Sequence, residues 1–75
     1  MAQIDELISK GKSFLEIENF EDALSYFEQA LILNKKNPEI WNFKAVCLRS
    51  LGRYEEALEC FNQSLKIDPR DKHAS

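Results

Sequence analysis

EDALSYFEQAL, residues 21–31, returns as EEALECFNQSL, residues 55–65, after a shift of 34 positions. Glu21/Glu55, Ala23/Ala57, Leu24/Leu58, Phe27/Phe61, Gln29/Gln63 and Leu31/Leu65 are identical, and Phe20/Tyr54 are close. Extending the same shift outward aligns residues 4–37 with 38–71 without a gap and adds Lys10/Lys44. The apolar identities fall at spacings of three and four, the period of one face of an α-helix. Self-similarity at such a period means tandem supersecondary units that bury their apolar faces against one another.

Four helical stretches follow from the periodicity. Ile4, Leu7, Ile8, Gly11, Phe14 and Leu15 share one face, and Phe20, Ala23, Leu24, Phe27, Ala30 and Leu31 share a second. Ile40, Trp41, Ala45, Leu48 and Leu51 form the third set, and Tyr54, Ala57, Leu58, Phe61, Ser64 and Leu65 the fourth. No stretch alternates with the period of two that a half-buried strand requires. Breaks are expected at Gly52, Asn37-Pro38 and Asp68-Pro69, because the residue before a proline is pushed out of the helical region. Asn19 is expected to cap the second helix, with Glu21 and Asp22 behind it. Asn37 caps the third, with Pro38 at the first helical position and Glu39 at the positive end of the dipole. Lys35 and Lys36 suit the negative end of the second helix.

Of the 75 residues, 44% are hydrophobic and 31% charged, and the formal net charge is -3 with basic residues dispersed among acidic ones. One small domain, residues 1–75, with a thin core is the expectation. The charge argues against nucleic acid, which calls for a basic face, and against an anionic membrane surface. No apolar run approaches the roughly 18 residues of a membrane span. Asp5 and Glu6 interrupt any signal-peptide core, so a cytoplasmic location is expected. Cys47 and Cys60 lack metal-site or redox spacing, and His73 is the single histidine. The thiols read as small, partly buried residues in a reducing compartment. No metal, cofactor, catalytic set or enzymatic activity is expected.

Gly11-Lys12-Ser13 looks like the end of a phosphate-binding loop, G-x-x-x-x-G-K-[ST]. The first glycine of that loop would stand at position 6, where Glu6 brings a carboxylate to the phosphate's place. The residues upstream also read as helix, whereas such a loop follows a strand. Nucleotide binding is not expected.

A helix-turn-helix unit of this length and pattern resembles the tetratricopeptide repeat, whose signature runs W-x2-L-G-x2-Y, then A-x3-F, then P. In the second unit Trp41, Ala45, Leu48, Ala57, Phe61 and Pro69 take the corresponding places, with Gly52-Arg53-Tyr54 as the turn. In the first unit Leu7, Gly11, Phe14, Ala23 and Phe27 take them, with Ala30 as the later small residue. The resemblance implies an all-α fold of two antiparallel helix-turn-helix units, about 4–37 and 38–71, stacked as a short right-handed α-solenoid, with 72–75 as a tail. Lys10 and Lys44 stand where the family has leucine, Glu18 replaces the turn glycine, Lys35 the closing proline and Ser64 a small alanine. The two lysines imply a partly open inner seam. Gly11, Ala23, Ala45 and Ala57 allow close approach, while Phe14, Phe27, Trp41, Leu48 and Phe61 fill the space between helices. On this reading Phe27→Ala and Phe61→Ala each cost about 3–5 kcal/mol. Gly11→Leu disrupts the packing and Gly11→Ala is tolerated.

The resemblance also implies a protein-protein interaction module, a scaffold or adaptor whose first helices line a concave groove for a peptide or helix of a partner. Carried over by position, the groove residues are Asp5, Ile8, Ser9, Lys12, Leu15 and Glu16, then Glu39, Asn42, Phe43, Val46, Arg49 and Ser50. A solvated face without a ligand is the plain alternative. Phe43 and Val46 weigh against it, being apolar on a face that is otherwise wet. Chaperone-binding members grip a C-terminal carboxylate with a lysine and an asparagine one turn apart, then an asparagine in the next unit. Ile8, Lys12 and Phe43 stand at those places, so that clamp is absent. RNA-binding pentatricopeptide repeats have a period one residue longer and a basic groove, unlike this chain with its net charge of -3.

A repeat unit cannot bury its apolar face alone, about three are needed for stability, and terminal units carry a polar capping helix. Lys72-His73-Ala74-Ser75 follow soon after the fourth helix, whose outer face of Leu58, Cys60, Leu65 and Ile67 is expected to lack cover. Either the chain is an excised piece of a longer array, or copies self-associate through that helix as a homodimer, with helix exchange as one form.

Overall fold

A computed structural model of the chain describes residues 2–67. Its helices are α1 (Ala2–Glu16), α2 (Phe20–Leu33), α3 (Pro38–Ser50) and α4 (Tyr54–Ile67), and there is no strand among the described residues. Two turns of the same chemistry fold each half of the repeat into a hairpin. Glu18, at φ 63°, and Gly52, at φ 84°, both occupy the left-handed region just past a helix end. The Asn19 N–H then donates to the Phe14 carbonyl at 2.9 Å, and the Arg53 N–H to the Leu48 carbonyl at 2.8 Å. These bonds satisfy carbonyls that the helix end leaves open and reverse the chain. Glycine adopts this conformation freely, whereas a side chain there costs roughly 1–2 kcal/mol, so Glu18 carries a penalty that Gly52 does not.

The expected caps form. The Asp22 N–H donates to the Asn19 side-chain oxygen at 3.4 Å, and the Glu39 N–H to that of Asn37 at 2.9 Å. Asn34 closes α2 by donating its N–H to the Ala30 carbonyl at 3.0 Å, and its side chain accepts from the Lys36 N–H at 3.0 Å. The Trp41 indole donates to the Lys35 carbonyl at 2.8 Å and ties this loop to α3. Trp41 is thus amphipathic in use, its ring on the core and its N–H on the loop.

With the hairpins set, α1 packs on α2, α2 on α3 and α3 on α4. The result is all-α, two antiparallel helix-turn-helix units stacked as a short solenoid. Phe27, Ile40, Cys47 and Leu48 are the largest apolar side chains with almost no exposure, and Ala23, Ala30, Ala45 and Ala57 are buried around them. Leu7, Phe14, Trp41 and Phe61 are half-buried against this core, and Phe14 stacks on Tyr26 at 5.5 Å. Pro69, the Asp68-Pro69 break, Asp71, His73 and the 72–75 tail lie outside the described residues.

Three expectations are corrected by the packing. First, a Cβ added at Gly11 would lie 2.7 Å from two ring atoms of Phe27, so alanine is not accommodated there without displacing the ring. That ring is fully buried and stacked on Phe43 at 5.0 Å between centroids, with 12° between planes. Gly11 therefore faces an aromatic surface backed by a second ring. Second, Phe27 and Phe61 are not equivalent, because Phe61 is only half-buried. Their neighbours diverge in the same way: Leu24 is 7% exposed and Leu58 60%, Leu31 6% and Leu65 37%. α3 covers the outer face of α2, and no described helix covers that of α4. Third, Cys60 is buried, so the exposed apolar side chains on the outer face of α4 are Leu58 and Leu65, while Ile67, like Phe61, is half-buried.

No helix among the described residues is long and apolar enough to cross a membrane.

Candidate functional site

α1 and α3 are the first helices of successive units, and the stripe read from the sequence falls at equivalent positions of the two. Asp5, Ser9, Lys12, Glu16, Glu39, Arg49 and Ser50 are exposed on it, and Ile8, Leu15, Asn42, Phe43 and Val46 are half-buried. The two helices meet where the Lys12 ammonium lies 5.2 Å from the centre of the Phe43 ring. A cation at that distance from an aromatic face is attracted by the ring quadrupole, which links the two units across the face. Ile8, Leu15 and Phe43 also pack against the core, whereas Val46 is not among the side chains that do. Phe43 has two jobs, with one side of its ring against Phe27 and the rest on the surface.

A concavity was not anticipated from the sequence. It lies beside the α3–α4 seam, has a volume of about 530 Å³, and is lined by Trp41, Lys44, Leu48 and Cys60 together with Glu28, Arg53 and Glu56. Lys44 sits over the Trp41 ring at 5.6 Å and 3.8 Å from the Glu28 carboxylate, so a charged side chain lines this cleft at the position where the family carries leucine. That substitution was the available signal. Lys10, its counterpart, instead sits 5.9 Å over the Tyr26 ring. In the same cleft, Arg53 donates two side-chain hydrogen bonds to Glu56, which hold that carboxyl below its ordinary value.

The thiols are poor nucleophiles in this setting. Burial pushes Cys47 up to about 11 and raises Cys60 as well, so both stay protonated at neutral pH. Among the described residues no group of three or more His, Cys, Asp or Glu side chains is placed to hold a metal ion.

Two helical hairpins in register define a helical-repeat module of the protein-interaction class. The family model described as tetratricopeptide repeat matches residues 8–72, and the chain belongs to that family. An uncharacterized protein of Methanocaldococcus jannaschii is 40% identical over 77 residues, covering 93% of this chain and 90% of that protein. Sperm-associated antigen 1 of Rattus norvegicus is 34% identical over 70 residues, which are 92% of this chain and 8% of the antigen. Hsp70-Hsp90 organizing protein 2 of Arabidopsis thaliana is 29% identical over 65 residues, 87% of this chain and 11% of that protein. The chain thus spans most of the archaeal relative but a small part of the two eukaryotic ones. The tetratricopeptide domain of Sgt2 from Aspergillus fumigatus has the same fold, with a TM-score of 0.90 at 24% identity over 93% of this chain and 46% of that one.

Proposed function

We propose that the face built by α1 and α3 binds a partly hydrophobic segment or helix of a partner protein, with the chain acting as a scaffold. The observation that carries the reading is the Lys12–Phe43 contact at 5.2 Å, which joins the two units across an apolar centre of Ile8, Leu15, Phe43 and Val46. Such a centre draws apolar side chains of the partner out of water. The surrounding Asp5, Glu16, Glu39 and Arg49 set register and reject wrong partners through charge. Ser9, Asn42 and Ser50 supply hydrogen-bonding groups beside them.

One relative is named for organizing Hsp70 and Hsp90. That partnership is not carried over here, because Ile8, Lys12 and Phe43 stand where the carboxylate clamp requires a lysine and two asparagines. The same reading takes residues 1–75 as one domain with units of about 4–37 and 38–71, working in the cytoplasm on protein rather than on nucleic acid or membrane.

Capture from a displayed peptide library tests the site, with Val46→Glu, Lys12→Glu and Arg49→Glu as the variants. These side chains are on the face without being packed in the core, so folding, checked by circular dichroism, is retained. Loss of about tenfold or more in affinity is the expected result, equivalent to about 1.4 kcal/mol. Equal recovery by the wild type and all three variants retires the assignment.

A further inference from the structure

The cleft beside the α3–α4 seam lies apart from the α1–α3 face, and its charges can be followed one by one. Glu28, Lys44, Arg53, Glu56, Glu59 and Lys66 all line it. Four of them are satisfied within the chain: Glu28 faces Lys44 at 3.8 Å, and Arg53 donates two side-chain hydrogen bonds to Glu56. Glu59 and Lys66 form no ion pair or side-chain hydrogen bond among the described residues.

These two charges are placed in an ordered way. Glu59, Gln63 and Lys66 follow the spacing of one helix face and line the same cleft, so α4 presents a carboxylate, an amide and an ammonium in a row. Seven residues of helix set the two charges about 10.5 Å apart. The row borders an apolar floor, where Trp41 is half-buried and Leu48 and Cys60 are buried. Burial raises the Cys60 thiol, Lys44 lowers it, and Glu59 raises it further, so the field of the Glu59 carboxylate reaches that floor. A cleft with low-dielectric walls focuses such fields on whatever enters it.

Size and charge order together select the occupant. A helix about 10–12 Å across takes roughly 800–1,200 Å³ over a 10.5 Å length. The cleft has a volume of about 530 Å³. A β-strand returns a side chain to one face about every 6.7 Å, so its same-face charges fall short of that spacing or, at about 13 Å, beyond it. A polyproline II segment returns one every third residue, about 9.3 Å apart, and leaves its backbone N–H and C=O groups free for an amide such as that of Gln63. Segments of this kind dock on aromatic-lined grooves, and Trp41 lines this one.

We propose that the cleft binds a short polyproline II segment of a partner protein, with an arginine or lysine against Glu59 and, three residues away, an aspartate or glutamate against Lys66. Gln63 bonds the backbone between them. The site shares no residue with the α1–α3 face and does not rest on the reading given for that face.

Trp41 is the only tryptophan in the chain, so its fluorescence reports on the cleft directly. The probes are two capped, proline-rich peptides without aromatic residues, one with arginine three positions before glutamate and one with the order reversed, titrated into the full chain. One order should give a saturable change in Trp41 emission with a Kd below about 1 mM, and the other order should bind about tenfold or more weakly. Replacing both peptide charges by glutamine should weaken binding to the same extent. The variant Glu59→Lys/Lys66→Glu should reverse the preference between the two orders; both side chains are exposed, so helical content by circular dichroism stays that of the parent. Mere solvation of the two charges produces no such reversal. The proposal is overturned by the absence of a saturable change with either peptide, by equal binding of the glutamine peptide, or by a double variant that keeps the parent's preference. Tighter binding of a helical peptide with the two charges seven residues apart also overturns it and assigns the cleft to a helix. Lys12→Glu should leave these titrations unchanged, and the double variant should leave peptide capture by the α1–α3 face unchanged, so failure of one reading is distinguishable from failure of the other.

Discussion

Replacing Gly11 by alanine sets two effects of known sign against each other. In a helix interior the change gains about 1 kcal/mol through backbone entropy. Against this, the new methyl would approach two atoms of the Phe27 ring to 2.7 Å and a third to 3.1 Å. Unstrained carbon contacts lie at roughly 3.5–4.0 Å, so the ring must recede by close to 1 Å. A flexible surface side chain would yield, but this ring has no exposure and is backed by Phe43 at 5.0 Å. Overpacking of this kind costs about 1–3 kcal/mol, leaving a net loss of about 1 kcal/mol. In a domain of this size that lowers Tm by roughly 4–8 °C, readable by thermal melting of the purified chain. A double-mutant cycle with Phe27→Leu isolates the contact. Leucine removes the ring edge, so the double variant should be more stable than the summed single effects by about 1 kcal/mol. A Gly11→Ala chain as stable as the parent, or two changes that simply add, would show the ring to be free to move and refute the argument.

The remaining expectations follow from burial. Phe27→Ala should cost about 3–5 kcal/mol and Phe61→Ala clearly less, checked by urea unfolding; equal losses would contradict the open face of α4. Ser64 is buried with its hydroxyl lacking a partner. Ser64→Ala, which restores the residue found at position 30, should therefore stabilise by about 1 kcal/mol in the same assay. Glu18→Gly relieves the side chain at φ 63° and should raise Tm, for a net gain of about 1 kcal/mol or less after the added unfolded-state entropy. Cys47 ionises near 11 in the folded chain against an ordinary value of 9.0, so the unfolded chain loses its proton first. That contribution is intact below pH ~9 and fades as pH rises toward 11, by on the order of 2 kcal/mol, and Cys47→Ala should flatten this part of the stability profile.

The two units and their helix ends were legible because they rest on local rules. A 34-residue identity pattern assigned the units, and Asn19, Asn37 and Gly52 act as caps or turn through contacts within a few residues of themselves. The stripe from Asp5 to Ser50 came instead from the family resemblance, by position in the unit. What the stripe alone left open was the allegiance of Phe43, which by position in the unit is a surface residue and in the packed molecule also backs the Phe27 ring. The cleft at Lys44 was missed for a related reason: its Glu28 contact reaches across from another unit.

The sequence by itself determined the helices, their ends and the order in which they stack, since each depends on period and on short-range hydrogen bonding. Only the tertiary structure decided that Phe27 is sealed while Phe61 is half-open, that Cys60 is inside while Leu58 is outside, and that Gly11 has no room for a methyl group. Phe27 and Phe61 sit in nearly the same local sequence, so no local rule separates them. Burial is set by what stands across the interface, and that belongs to the stack of helices rather than to any one of them.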